Sequence, residues 1–217
     1  MTTQTYGSSP HENEGFMTMS NMTLDPYYHK HTGVEEVPWS RLAQWLPNLA
    51  HKIGNDWHPE VVVGIAKGGV IPAVYLSSVF RLDFFPIKLS SRHNEEIISG
   101  EPQWHVRPGP YVHGKRVLLV DDICVAGRTF RLANAELGEL GASEVRTATL
   151  AIHSKSWRPN YYMLETDALI VWPWDRDNLS AESTWYINPE YAAEMNKIAD
   201  YVPGPSPAVE PEGKWLR

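Results

Sequence analysis

The chain has 217 residues, enough for one domain with flanking segments at roughly 150 residues per domain. Hydrophobic residues make up 42% and charged residues 21%, which excludes wholesale disorder, and a net charge of -7 argues against a general nucleic-acid or anionic-membrane binder, whose footprint is basic. A single cysteine excludes a disulfide framework and a cysteine-rich zinc site, and no apolar run reaches the roughly 18–20 residues of a membrane-spanning helix. The N-terminus has neither the basic start nor the apolar core of a secretory signal, so a soluble cytoplasmic protein is expected.

Residues 1–33 are rich in Thr, Ser, Asn, Met and His without a sustained period, and read as a flexible or loosely docked arm. A helix is expected from Trp39-Ser40 to about Ile53, with Ser40 as candidate N-cap and Leu42, Trp45, Leu46, Leu49 and Ile53 at helical spacing. Pro47 should bend or split it. Residues 60–66 (EVVVGIA) read as a buried strand, and 69–81 as a helix in which Pro72 is tolerable only in the first turn. A second strand spans 83–90. Residues 91–114 are polar and rich in Gly and Pro; a loop of that length inside a compact domain is usually functional. A third strand begins at Arg116 and runs into Asp121-Asp122, a helix at 128–141 is closed by Gly141, and further strands fall at 144–152 and 168–172, the last stopped by Pro173. Residues 201–217 contain a proline-rich tail. The 34–200 region therefore alternates strand and helix, which implies an α/β fold with a doubly wound, mostly parallel sheet. Ligands of such sheets bind beyond the carboxyl ends of the strands.

The most informative stretch is VLLVDDICVAGRTF, residues 117–130. A buried strand delivers two adjacent carboxylates, Asp121 and Asp122, to the sheet edge. A short turn follows, and Gly127-Arg128-Thr129 opens a helix whose free amides and dipole favour an anion. Thr129 adds a hydroxyl donor. A phosphate cradle beside acids that can grip sugar hydroxyls suggests a ribose phosphate.

This run resembles the phosphoribosyl-pyrophosphate motif of type I phosphoribosyltransferases, and the layout is closest to the xanthine-guanine and hypoxanthine-guanine branch. GIAKGG at 64–69 looks like the family's pyrophosphate loop, in which the peptide at the position of Lys67-Gly68 is often cis. Ser90, Ser91 and Arg92 resemble the start of the mobile catalytic loop. Lys155 matches the lysine that reads the exocyclic oxygen of a 6-oxopurine. Leu169 and Ile170, with Pro173-Trp174-Asp175, resemble the base-binding segment.

The resemblance implies the type I phosphoribosyltransferase fold. A small hood would come from the N-terminal part and the segment after about residue 153. It implies transfer of phosphoribose from phosphoribosyl pyrophosphate to a purine-like base, with pyrophosphate released. Asp121 and Asp122 would hold ribose hydroxyls and Mg2+, the metal largely through water. Val125, Ala126, Gly127, Arg128 and Thr129 would hold the 5′-phosphate, and Lys67, Gly68 and Gly69 the pyrophosphate. Lys155, Leu169, Ile170 and Asp175 would meet the base. A homodimer or homotetramer is implied, and neither nucleic acid nor membrane as a partner.

Two positions depart from the family. Where 6-oxopurine enzymes carry a second acid near N7 of the base, this chain has Val125, which takes no proton. Where many members carry a stacking aromatic, it has Leu169, and Trp157, Trp172 and Trp174 are the candidates to compensate. One alternative is a base needing no proton removal at N7, such as a 7-deazapurine; adenine and orotate transferases also lack that acid. Another is Glu95 or Glu96 acting as base from the mobile loop. A third, from a different class, is a nucleotide-sensing protein without turnover. Among weaker signals, His29 and His31 lack a third ligand, which favours surface histidines over a zinc site. Cys124 lacks a partner base, which favours a buried spacer over a nucleophile.

Overall fold

The computed structural model describes residues 31–90, 92–93, 96–97, 102–198 and 201–203. The β-branched runs become the central strands β2 (Val61–Ile65) and β7 (Arg116–Cys124), flanked by β3 (Phe84–Ser90) and β8 (Glu144–Ile152). All five residues of β2 are buried, as are Val117 to Val120 of β7. Successive residues of β7 serve opposite faces. Leu118 and Val120 pack with the buried side of helices α1 (Trp39–Asp56) and α2 (Val70–Phe80), and Val117 and Leu119 with α3 (Arg128–Glu139). The helices therefore cover both faces of the sheet, and each face removes a separate apolar cluster from water.

The main sheet has six strands in the order β6-β3-β2-β7-β8-β9, with β6 at Gln103–Val106 and β9 at Leu164–Glu165. All neighbours are parallel except β6, which runs antiparallel to β3. From β2 the chain passes through α2 to β3 on one side; from β7 it passes through α3 to β8 on the other. The order reverses between β2 and β7, whose register aligns Gly64 with Val120. The crevice beyond Ile65 and Asp121 is thus the topological switch point of a doubly wound sheet. This is the fold expected from the sequence.

Several local expectations change. Helix α1 starts at Trp39, with Pro38 rather than Ser40 at its N-cap and no side-chain cap bond, because the Pro38 carbonyl accepts from Arg41 and Leu42. It continues through Pro47 to Asp56. Pro47 and Ala43, whose carbonyl the proline leaves unpaired, are both on the exposed face, where water can satisfy it. The 91–114 segment is not simply a loop: β4 (Arg92–His93) pairs antiparallel with β5 (Glu96–Ile97), and β6 returns along β3.

The strand expected at 168–172 is β10 (Leu169–Val171), and it lies outside the main sheet. Residues 164–165 take the place beside β8 instead. β10 pairs in parallel with β1 (Val34–Glu36), and bonds from Leu169 N–H to Gly33 and from Val37 N–H to Val171 extend that ladder. A hairpin of β11 (Asp177–Leu179) and β12 (Trp185–Ile187) and the short helix α4 (Pro189–Met195) follow. Of the expected N-terminal arm, residues 1–30 lie outside the described residues, as does 204–217 of the tail. Thr32 donates to the Asp167 carbonyl, and the Tyr201 hydroxyl bonds Glu36.

Candidate active site

Strand β7 stops being fully buried at Asp121, so its two carboxylates emerge at the switch point. Each folds onto the next amide: Asp122 N–H donates to Asp121 Oδ1 at 2.9 Å, and Ile123 N–H to Asp122 Oδ1 at 2.8 Å. Burial, followed by the Asp122 charge, raises the Asp121 carboxyl well above the ordinary range. Burial, followed by the Asp175 carboxylate, raises Asp122 to about 6. Among the described residues no lysine or arginine pairs with either acid.

The glycine loop between β2 and α2 seats directly on these acids. A Cβ on Gly68 would fall 1.9 Å from Asp122 Oδ2, and one on Gly69 would fall 2.6 Å from both Asp121 Cα and the Val120 carbonyl oxygen. Only a residue without a side chain permits this approach. A non-proline cis peptide is present, but at Ala66–Lys67, one bond before the expected Lys67–Gly68 position. Lys67 itself is exposed.

The turn after β7 is formed by Val125 and Ala126, both half-buried, and Gly127 at φ 72°. Gly127 caps α3 without any side-chain cap bond, so the first helical amides are not taken by a cap. Thr129 is half-buried and Arg128 exposed. The Arg131 guanidinium donates to the Ala126 carbonyl at 3.1 Å. Gly68 and Gly69 therefore seat on Asp121 and Asp122, and residues 125–129 follow directly on the end of the same strand.

The expected base-binding residues divide. Lys155 is exposed at a turn that follows β8, and Ser156 closes that turn through its amide to the His153 carbonyl at 2.9 Å. Asp175 faces Asp122 closely enough to disfavour its charge, and accepts from the Tyr191 hydroxyl of α4 at 2.9 Å. Leu169 and Ile170 are packing residues in the ladder with β1, 8% and 5% exposed. Trp172 and Trp174 stack on each other at 5.0 Å, with Trp39 against the second, and Trp157 packs on Phe130 at 5.8 Å. Ser90 ends β3 and Arg92 opens β4, whereas Ser91 and Glu95 lie outside the described residues. Ser154, Ser156 and Tyr191 were not singled out by the sequence, since nothing local marks a contact between segments far apart in the chain.

Cys124 is 1% exposed, and burial pushes its thiol up to about 11. It is therefore a spacer at the end of β7. Iodoacetamide at pH 8 is expected to leave the native protein unlabelled and to alkylate this one cysteine after unfolding, as read by intact mass; rapid native labelling would contradict its burial. Among the described residues no group of three His, Cys, Asp or Glu could hold a metal ion, and no helix is long and apolar enough to cross a membrane.

Residues 39–179 match the family described as phosphoribosyl transferase domain. A curated relative, an adenine phosphoribosyltransferase of Rhodospirillum rubrum, is 28% identical over 99 residues, 42% of this chain and 58% of that protein, so the match spans little more than half the relative's length. Among solved structures, a purine phosphoribosyltransferase of Pyrococcus horikoshii is 28% identical, with a TM-score of 0.59 over 68% of this chain and 97% of that one. A Neisseria gonorrhoeae protein solved with bound ppGpp has a TM-score of 0.58 at 22% identity, over 68% of this chain and 92% of that one, which is a likeness of fold.

Proposed function

The chain belongs to the phosphoribosyl transferase domain family, and we propose that it moves phosphoribose from phosphoribosyl pyrophosphate to a purine-like base, a 6-oxopurine or 7-deazapurine, releasing pyrophosphate. The observation that carries this reading is the seating of Gly68 and Gly69 on Asp121 and Asp122, at the end of the strand that leads into α3, whose start has no side-chain cap bond. It supports a crevice in which two anion-binding loops flank a pair of sugar-gripping acids. The purine class is also supported by the names of the Rhodospirillum rubrum and Pyrococcus horikoshii relatives.

In the proposed reaction the bond from C1 of ribose to the pyrophosphate oxygen breaks, a bond from C1 to a base nitrogen forms, and the N–H proton that the base loses passes to water. The amides of Val125–Thr129 fix the 5′-phosphate, and those of Lys67–Gly69 the departing pyrophosphate. Asp121 and Asp122 accept from ribose hydroxyls and hold the ring at the angle needed for displacement. Fixed dipoles aimed at both phosphoryl groups need no reorganisation as charge moves between them. The two aspartates also fit Mg2+: they are adjacent hard oxygen donors whose charges are disfavoured by burial, a cost that a cation would offset. When bound, the ion would neutralise part of the pyrophosphate charge. Lys155 donates to the exocyclic oxygen of the base. Val125 leaves no acceptor at N7, which suits a base with nothing to lose there.

Pyrophosphate release from phosphoribosyl pyrophosphate, assayed with guanine, hypoxanthine, xanthine, 7-deazaguanine and adenine, tests the proposal. Turnover is expected with an oxygen-bearing base. Turnover with adenine alone would overturn the assignment of Lys155. Nucleotide binding with no turnover on any base would favour a sensor, the reading to which Val125 also lends itself.

A further inference from the structure

We propose that Ser156 is a positioning residue that ties the Lys155 turn to the phosphate turn, so that filling one strengthens binding at the other. The inference rests on the nucleotide site proposed for the chain and adds a linkage between its two halves.

Lys155 lies between two serines, and each serine is fastened to a different element. Ser154 donates its amide at 3.0 Å and its hydroxyl at 2.6 Å to the Asp167 carboxylate, just before β10. Ser156 Oγ lies 2.8 Å from the Cys124 carbonyl, 3.0 Å from Cys124 Sγ and 2.9 Å from the Trp157 carbonyl. His153 N–H also donates to the Cys124 carbonyl at 3.3 Å. The last carbonyl of β7 thus carries both ends of the turn that presents Lys155.

That carbonyl shares a peptide plane with the Val125 amide, the first of the phosphate turn. In a trans peptide the C=O and the next N–H point in opposite directions. Holding the Cys124 oxygen toward Ser156 therefore aims Val125 N–H the other way, and an anion that captures the amide fixes the oxygen in return. Further along, the two segments stay in contact. A Cβ on Gly127 would fall 2.5 Å from the Trp157 Cβ, and the Trp157 ring lies against Phe130 of α3. Cys124 is buried, so a hydrogen bond here meets little competition from water. Any such linkage is reciprocal between the two ligands.

Calorimetric titration of the full chain with ribose 5-phosphate and with guanosine 5′-monophosphate reads the linkage as the affinity the base adds. In Ser156→Ala that ratio is expected to fall about five-fold, the worth of one hydrogen bond. Ser156→Thr, which keeps the hydroxyl, should restore most of it. Both variants are compared at a temperature where thermal melts show them folded. A purely structural role would change melting and both affinities together and leave the ratio alone. An unchanged ratio in the alanine variant, with both ligands bound, overturns the linkage but leaves the proposed site standing. Failure of the wild type to bind either ligand overturns the site and the linkage with it.

Discussion

Replacing Gly68 by alanine is expected to lower turnover by about 100-fold, the penalty of a reacting group displaced by roughly an ångström, while leaving the fold nearly as stable as before. The new methyl would sit 1.9 Å from Asp122 Oδ2 and 2.3 Å from its Cγ. The contact is with the end of a side chain, so Asp122 can swing aside, breaking its bond with the Ile123 amide and leaving the ribose-binding position. Gly69→Ala should behave oppositely, because its Cβ meets backbone: Asp121 Cα and the Val120 oxygen at 2.6 Å, and the Ile65 oxygen at 2.7 Å. Backbone cannot step away, so this variant is expected to lose stability first. Steady-state rates and urea denaturation on both variants check the contrast. A Gly68→Ala enzyme with wild-type activity would show that the position of Asp122 is immaterial.

Asp122→Asn is expected to stabilise the ligand-free protein while weakening its grip on phosphoribosyl pyrophosphate. The folded carboxyl titrates near 6, above its ordinary 3.8, because it is buried and faces Asp175. Below pH 3.8 both folded and unfolded states hold the proton and nothing is lost. As pH rises from there through 6, the unfolded chain releases its proton more readily and folding becomes less favourable. At pH 8 the neutral asparagine should thus gain about 2 kcal/mol, less than the full equivalent of the shift because the carboxylate is part-exposed, and the gain should vanish toward pH 4. Denaturation in the presence of a chelator at the two pH values reads this directly. A variant less stable than wild type at pH 8 would contradict a half-buried acid with no lysine or arginine partner among the described residues.

Much of this was legible in the sequence because it depends on local pattern. The runs at 61–65 and 117–120 read as buried strands, and the whole pattern at 117–130, a strand ending in two acids followed by Gly127-Arg128-Thr129, placed the turn 125–129 between β7 and α3. The fate of 169–171 was not legible. A short apolar run specifies burial but not its neighbour, and here the partner is Val34–Glu36, more than a hundred residues away in the chain. The same holds for contacts around the site. Gly68 could be read as part of a phosphate loop, but not as the residue against Asp122. Ser156 bonds a carbonyl 32 positions earlier, and Tyr191 an acid 16 earlier, and neither spacing has a helical or strand period. Ser40 failed as a cap for a local reason: the Pro38 carbonyl had already begun the helix.

A crystal structure of the protein grown with phosphoribosyl pyrophosphate and magnesium bears most directly on the shared crevice. The 5′-phosphate is expected against the amides of Val125–Thr129, ribose hydroxyls on Asp121 and Asp122, and the pyrophosphate at Lys67–Gly69. A ligand bound elsewhere, with that corner of the sheet left empty, would contradict that placement.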